Sequence, residues 1–102
     1  MARRYSVYIL ASRPFGPIYI GVTNNLIERI IEHREGRGSR YVFKYKIFRL
    51  VCVEDYDRIE DAIAREKRLK RWKRVWKDEL IEKTNPDWHD LFDQIKGDPL
   101  SN

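Results

Sequence analysis

The 102-residue sequence has a single cysteine, Cys52, which excludes a disulfide framework and any zinc site built from several cysteines. It has no apolar run near the ~18 residues needed to cross a membrane, and its start lacks the apolar segment of a signal peptide. It also has no internal repeat, low-complexity segment or interdomain linker. We therefore expect a cytoplasmic protein without a membrane partner, folded as one domain over 1–96, with a frayed tail at 97–102.

The surplus of positive charge is small but concentrated. The chain has 21 Lys and Arg against 16 Asp and Glu, a net charge of +5. Residues 65–77 contain eight basic residues and one acidic residue, whereas residues 78–102 contain seven acidic residues and two basic ones. Trp72 and Trp76 lie among these cations at helical spacing, a pattern that suits phosphate neutralisation and base stacking. An amphipathic helix that buries both tryptophans and leaves the cations in water fits the same pattern.

The distribution of apolar, β-branched and aromatic residues predicts an α/β (α+β) fold, with a three-stranded antiparallel sheet flanked by helices in the order β-β-α-β-α-α. We expect strands at 5–10, 18–22 and 47–56, a helix at about 25–35, a basic loop at 36–46, and further helices after a capping box at 57–60, around Trp72 to Ile81, and after Trp88. If Tyr8 lies roughly opposite Tyr19, both phenols leave the same face of the sheet.

Three polar residues border predicted apolar helix faces. Glu66 falls within a stripe that includes Ile63 and Leu69, and a carboxylate buried alone costs several kcal/mol, so it must be paired, protonated or bound to a metal. Arg29 is either its partner or a fork of donors free for an anion such as phosphate. By itself, His33 more often indicates a half-buried histidine with a satisfied hydrogen bond than a catalyst. Tyrosines in strands, such as Tyr8 and Tyr19, likewise usually have a structural role.

The motifs in combination resemble the GIY-YIG nuclease superfamily, and in particular its small single-domain bacterial YhbQ-like group, over about residues 4–95. The matching segments are Tyr5-Ser6-Val7-Tyr8-Ile9-Leu10, Tyr19-Ile20-Gly21-Val22-Thr23, Leu26-Ile27-Glu28-Arg29 with His33, Ala62-Ile63-Ala64-Arg65-Glu66-Lys67, and Asn85-Pro86-Asp87-Trp88. The sequence departs from the family pattern where Ser6-Val7 replaces Gly-Ile, and where Val22 replaces the lysine of excinuclease C subunits.

The resemblance implies a divalent-metal-dependent endonuclease that hydrolyses DNA phosphodiester bonds, with a setting in DNA repair or recombination. It implies that Tyr19 is the general base, that Tyr8 positions the water or phosphate, that Arg29 stabilises the phosphate and that His33 assists proton handling. Glu66 corresponds to the metal-binding carboxylate. The residues that match further parts of the family's site are Gly21 and Asn85, as active-site support.

The chemistry of phosphodiester hydrolysis agrees with these roles, because in-line attack adds negative charge that cations must stabilise. A single carboxylate suits Mg²⁺ or Mn²⁺, which keep several waters, whereas zinc needs more N or S ligands than two histidines and one cysteine offer. An unperturbed tyrosine, with a pKa of ~10, is a weak base at neutral pH, so Tyr19 needs a nearby cation. No small-molecule cofactor is expected.

The cations of two segments are expected to hold a nucleic-acid backbone, most simply that of DNA. They are Arg37, Arg40, Lys44, Lys67, Lys70, Arg71, Lys73 and Arg74. Two alternatives stand beside the nuclease hypothesis: a non-catalytic nucleic-acid-binding module of the same fold, and a protein-interaction module whose basic helix binds another protein or the chain's own acidic region. The sequence leaves open the oligomeric state and the choice between DNA and RNA.

Overall fold

The computed structural model describes residues 4–97 and contains three strands and five helices in that range. The elements are β1 (Tyr5–Ala11), β2 (Ile18–Thr23), α1 (Leu26–Arg34), α2 (Arg40–Lys44), β3 (Arg49–Tyr56), α3 (Ile59–Arg71), α4 (Arg74–Thr84) and α5 (Phe92–Lys96). The frayed tail predicted at 97–102 lies outside the described residues, except for Gly97, which caps α5. None of the helices in the described range is both long and apolar enough to cross a bilayer.

The strands form one sheet in the order β2-β1-β3, with both pairings antiparallel. This confirms the predicted three-stranded antiparallel sheet with flanking helices. Because successive side chains of a strand point to opposite faces, β1 contributes to two separate cores. Val7 and Ile9 face the layer that contains α3 and α4. Tyr8 and Leu10 face the layer that contains α1, α2 and α5.

The register between β1 and β2 differs from the prediction. Tyr8 pairs with Gly21, and Tyr19 pairs with Leu10, so the expected pairing of Tyr8 with Tyr19 is wrong. The predicted pairing is shifted by two residues. Side chains of a strand alternate between the two faces with a period of two residues, so this shift leaves Tyr19 on the predicted face of the sheet. Both phenols therefore lie on the same face of the sheet, diagonally rather than directly opposed.

The predicted basic loop at 36–46 contains a short helix, α2. Ser39 caps it by accepting a hydrogen bond from the Val42 amide at 3.3 Å, and the Val42 side chain is fully buried. The five-residue helix is too short to repeat an apolar face, so the periodicity of the sequence does not reveal it.

The basic segment at 65–77 is divided between two helices. Trp72 and Lys73 adopt extended backbone conformations between the end of α3 and the start of α4. The alternative of one amphipathic helix that buries both tryptophans is therefore wrong, because the helix breaks at Trp72 and Trp76 is 47% exposed. So is the predicted capping box at 57–60, because α3 begins after Arg58 without a side-chain cap.

The apolar face of α3 also differs from the predicted stripe. Ala62 and Leu69 are buried against the sheet, but Ile59 and Ile63 are more than one third exposed. The buried face of α3 is thus narrower than the sequence indicates, and Glu66 lies at its border.

Candidate active site

Three aromatic side chains from three elements meet on the α1 side of the sheet. The Tyr8 hydroxyl on β1 lies 2.9 Å from Nε2 of His33 on α1, in a buried hydrogen bond. The Tyr19 ring on β2 lies 5.3 Å from the His33 ring, centroid to centroid, and 6.3 Å from that of Tyr8. We call Tyr8, Tyr19 and His33 the tyrosine–histidine cluster. It brings together three of the four residues predicted to be catalytic.

Two glycines make room for this cluster. A Cβ atom on Gly21 would lie 2.4 Å from the Tyr8 oxygen, so the Tyr8 ring occupies the space above a residue that has no side chain. On the other side, a Cβ atom on Gly38 would lie 2.6 Å from Nδ1 of His33. Neither contact is compatible with a larger residue unless the cluster moves. Gly21 was predicted from the resemblance, whereas Gly38 was not singled out.

The loop before α2 fixes the protonation of the histidine. The Ser39 backbone amide donates to Nδ1 of His33 at 3.5 Å. A neutral imidazole carries one proton, so it resides on Nε2 and is donated to the Tyr8 oxygen. The Tyr8 hydroxyl proton then remains free to be donated to another group. Sequence reasoning missed the role of Ser39; the only local signal was its place after two closely spaced glycines.

Burial shifts the pKa values of two members of the cluster in opposite directions. It raises the pKa of Tyr8 well above its usual range, and nearby Tyr19 and Glu66 add to this, while Arg29 opposes it. Burial also lowers the pKa of His33, helped by the positive charge of Arg29. At neutral pH, Tyr8 is therefore a hydrogen-bond donor and His33 is an uncharged imidazole.

Arg29 lies at the edge of the cluster, on α1. Its Nε lies 3.1 Å from a carboxylate oxygen of Glu32, and its side chain is 43% exposed. It lines an open recess of about 210 Å³ together with residues at the end of β2 and along α1: Thr23, Asn24, Asn25, Glu28 and Glu32. The ion pair engages one edge of the guanidinium, and the recess gives an anion access to Arg29.

Glu66 lies on α3. Its carboxylate pairs with Lys70, one helical turn later, at 3.3 Å, and its side chain is 16% exposed. The partner is thus a lysine on the same helix and not Arg29, whose partner is Glu32. The charge of Glu66 makes a small contribution to the raised pKa of the Tyr8 hydroxyl.

The donor atoms near the cluster bear on the kind of metal that fits. Within residues 4–97, no three His, Cys, Asp or Glu side chains are grouped so that they could enclose a metal ion. A single carboxylate with access to water is enough for Mg²⁺ or Mn²⁺, which retain much of their hydration shell, but not for zinc. The 16% exposed carboxylate of Glu66 is an oxygen donor of the kind these two ions prefer.

All eight cations predicted to bind nucleic acid are exposed: Arg37, Arg40, Lys44, Lys67, Lys70, Arg71, Lys73 and Arg74. Three of them have carboxylate partners. Arg37 pairs with Glu35, Lys70 pairs with Glu66, and Arg74 pairs with Asp78. Arg74 also donates to the backbone carbonyl of Gly16, so it fastens α4 to the loop between β1 and β2.

Asn85 is buried, and its side chain forms hydrogen bonds with backbone groups. Its side-chain amide donates to the backbone carbonyls of Val51 and His89 and accepts from the His89 amide, at 2.8–3.2 Å. The residue is 5% exposed and closes the turn that leads from α4 to Trp88. The side-chain amide of Asn85 thus contacts the turn itself and β3. None of these hydrogen bonds is made to the tyrosine–histidine cluster.

Comparison with known families identifies the chain. Residues 4–79, well over half of its length, match the GIY-YIG catalytic domain. The chain belongs to the GIY-YIG family. The matched residues include Tyr8, Tyr19 and His33, the three members of the tyrosine–histidine cluster.

Relatives of similar length share most of this GIY-YIG domain. A UPF0213 protein of Oceanobacillus iheyensis is 34% identical over 82 residues, which are 80% of this chain and 94% of the relative. One from Natronomonas pharaonis is 32% identical over 81 residues, 79% of this chain and 94% of the relative. The solution structure of a UPF0213 protein from Bacillus halodurans is 28% identical, with a TM-score of 0.49 over 96% of this chain and 90% of the other. The predicted superfamily and its small single-domain group are confirmed.

Proposed function

We propose that this GIY-YIG protein is an endonuclease that hydrolyses phosphodiester bonds in DNA with the help of Mg²⁺ or Mn²⁺. The observation that carries the proposal is the convergence of Tyr8, Tyr19 and His33 next to Arg29, in a chain whose family is a nuclease superfamily, with Glu66 as the carboxylate that the family resemblance assigns to the metal. The five side chains come from four elements, and their types match the needs of phosphoryl transfer.

Each side chain has a task that follows from its environment. Arg29, exposed at the recess, binds a non-bridging phosphate oxygen through its guanidinium donors. The Tyr8 hydroxyl accepts a hydrogen bond from His33 and donates a hydrogen bond to a phosphate oxygen or to the attacking water. Because burial raises its pKa, Tyr8 keeps its hydroxyl proton at neutral pH and acts as a donor rather than a base.

The Tyr19 oxygen is then the candidate proton acceptor from the attacking water. Its ring packs edge-on against His33, which holds it at the cluster. Only the phenolate form of a tyrosine can accept this proton, and it forms when the phenol has first released its own proton to solvent. Because the phenolate is scarce at neutral pH, it needs positive charge nearby, which Arg29 would supply. His33, uncharged and hydrogen-bonded on both nitrogens, orients Tyr8 and serves as a positioning residue.

Glu66 would hold the metal ion. A divalent cation, when bound there, supplies positive charge for the leaving oxygen. Binding requires Glu66 to exchange its pairing with Lys70 for the ion, and the 52% exposed side chain of Lys70 is free to turn into water. Lys70 then becomes one of the cations available to the nucleic-acid backbone.

Cleavage of labelled DNA in Mg²⁺ or Mn²⁺ tests the proposal. Glu66→Gln and Arg29→Ala should each reduce the rate by about 10²–10³-fold, the usual loss for a group that stabilises transition-state charge. Glu60→Gln on the same helix, where the side chain is 67% exposed, is the matched control and should retain the wild-type rate. The proposal is wrong if the wild-type protein binds DNA but does not cut it with either metal, which is the behaviour of a non-catalytic binding module.

A further inference from the structure

Two tyrosines on the outward side of α2 remain unused by the catalytic proposal. Tyr41 is 46% exposed and Tyr45 is 47% exposed. Their rings lie 5.2 Å apart, centroid to centroid, with their planes inclined by 59°. The rings are tilted and not stacked face to face, so ring surface of both residues stays exposed to solvent. We call these two residues the α2 tyrosine pair.

The helix that displays the pair is firmly attached to the protein. Val42, between the two tyrosines, has no exposed surface. Its amide donates to Ser39 Oγ, and its carbonyl accepts a hydrogen bond from the Ile47 amide at 2.9 Å. The rings are therefore presented on a fixed backbone, which reduces the entropy lost when a ligand binds them.

The surroundings of the pair are positively charged. Residues 36–53 contain five Lys and Arg and no Asp or Glu. Lys44 Nζ lies 5.2 Å from the centre of the Tyr45 ring, and Arg40 is exposed next to Tyr41. A second copy of the chain on this surface would bring like charges together across a symmetric contact. A polyanion has the complementary charge.

We infer that the α2 tyrosine pair binds unpaired bases of a nucleic acid, whose phosphates lie on Arg40 and Lys44. Aromatic side chains beside cations are the usual surface for single strands, because every base has a face that can stack. Bases inside a duplex are already stacked on each other and cannot use this surface. The pair thus favours nucleic acid that has a single-stranded segment over uninterrupted duplex.

The position of the pair relates it to the site of cleavage. Tyr41 follows Ser39 by two residues, and the Ser39 amide contacts His33 in the tyrosine–histidine cluster. The pair thus lies on the helix that directly follows the loop in contact with the cluster, and we expect a strand held there to pass near the cluster. The inference rests on the proposed function, since it names the class of substrate that the same site accepts: DNA in which unpaired nucleotides adjoin the bond to be cut.

Binding measured without metal tests the inference separately from catalysis. Fluorescence anisotropy in EDTA compares a labelled oligothymidine with a duplex of equal length, for the wild type and for Tyr41→Leu/Tyr45→Leu. We expect the double variant to bind the single strand about five- to a hundredfold more weakly, which corresponds to the loss of one or two stacked bases. Its affinity for duplex should change by less than about twofold, because the cations remain.

Three controls sharpen the test. Tyr41→Phe/Tyr45→Phe keeps both rings and should restore binding of the single strand. Phe15→Leu removes a ring that is 62% exposed in the loop between β1 and β2, outside the two segments whose cations are assigned to nucleic acid, and should leave the preference for single strands unchanged. Arg40→Gln should weaken the binding of single strand and duplex alike and make both affinities less dependent on salt concentration.

Several results would overturn the inference. One is a double variant that binds oligothymidine as tightly as the wild type, and another is a Phe15→Leu variant that loses the preference for single strands. A third is a double variant that converts a dimer into a monomer in sedimentation while oligothymidine binding persists, which would make α2 a contact between copies. Failure to cleave DNA would reject the proposed function and leave these binding results intact.

Discussion

Replacing Gly21 by alanine probes the closest packing at the candidate site. The added Cβ would lie 2.4 Å from the Tyr8 oxygen and 2.5 Å from Cζ of the same ring. Relaxed carbon contacts are about 3.5–4.0 Å long, so the ring or the strand must move by about 1 Å. The ring has little room, because Tyr8 is 1% exposed and its hydroxyl is bonded to His33.

The expected cost follows from this crowding. Overpacking of a closed core by one methyl group destabilises a protein by about 1–3 kcal/mol. For a domain of this size, each kcal/mol corresponds to a decrease in Tm of roughly 4–8 °C. Without the clash, alanine would stabilise the strand relative to glycine by about 0.5–1 kcal/mol. A decrease in the free energy of unfolding of Gly21→Ala would therefore indicate the clash, and an increase would indicate its absence.

A double-mutant cycle isolates the contact. Free energies of unfolding are measured by urea denaturation, followed by far-UV circular dichroism, for the wild type, Gly21→Ala, Tyr8→Leu and the double variant. Leucine has no atoms in the positions of the tyrosine oxygen, Cζ and Cε1 that the new methyl group meets. We therefore expect Gly21→Ala to destabilise the wild type and to be neutral or stabilising in the Tyr8→Leu background.

Cleavage activity should follow the same logic. Displacement of the Tyr8 ring breaks its hydrogen bond with His33, so Gly21→Ala should also reduce the rate of DNA hydrolysis under the proposed function. The reasoning is refuted if Gly21→Ala changes the stability equally in both backgrounds. It is also refuted if the wild-type background tolerates alanine without loss of stability.

Three further predictions concern other buried groups. Because burial lowers the pKa of His33, the unfolded chain takes up a proton more readily than the folded protein below about pH 6.5, and stability should fall on acidification. His33→Gln should flatten the dependence of unfolding free energy on pH between 7.5 and 5.5, whereas His89→Gln, at a 74% exposed side chain, should not. Asn85→Ala should cost about 1–3 kcal/mol in urea denaturation, since its buried amide satisfies three backbone groups; Asn24→Ala, at an exposed site, is the control and should cost far less. Burial raises the pKa of Cys52 to about 11, so a disulfide reagent at pH 8 should label the folded protein much more slowly than the urea-unfolded chain, and equal rates would contradict this assignment.

Much of the candidate site can be predicted from local repeats in the sequence. The two-residue repeat of a strand places Tyr8 and Tyr19 on one face even when the register is shifted by two residues. The helical repeat places Arg29 and His33 on one edge of α1. These features depend on neighbours within a few positions, so the sequence alone is sufficient.

The surroundings of each side chain depended on residues far away in sequence. The recess for the Tyr8 ring is provided by Gly21 on the next strand, and Gly38 and Ser39 enclose the far side of His33. No periodicity in the sequence reports such contacts, because they arise only when β1, β2 and α1 are packed together.

The sequence by itself determined the family, the antiparallel sheet and the identity of the residues that converge on it, because motif spacing and apolar periodicity are local properties of the chain. The tertiary structure alone decided that Glu66 pairs with Lys70, that the basic segment is broken at Trp72, and that the loop after α1 presents the α2 tyrosine pair. These features follow from which surfaces are buried together, and a five-residue helix or a single ion pair leaves too short a pattern to be recognised in advance.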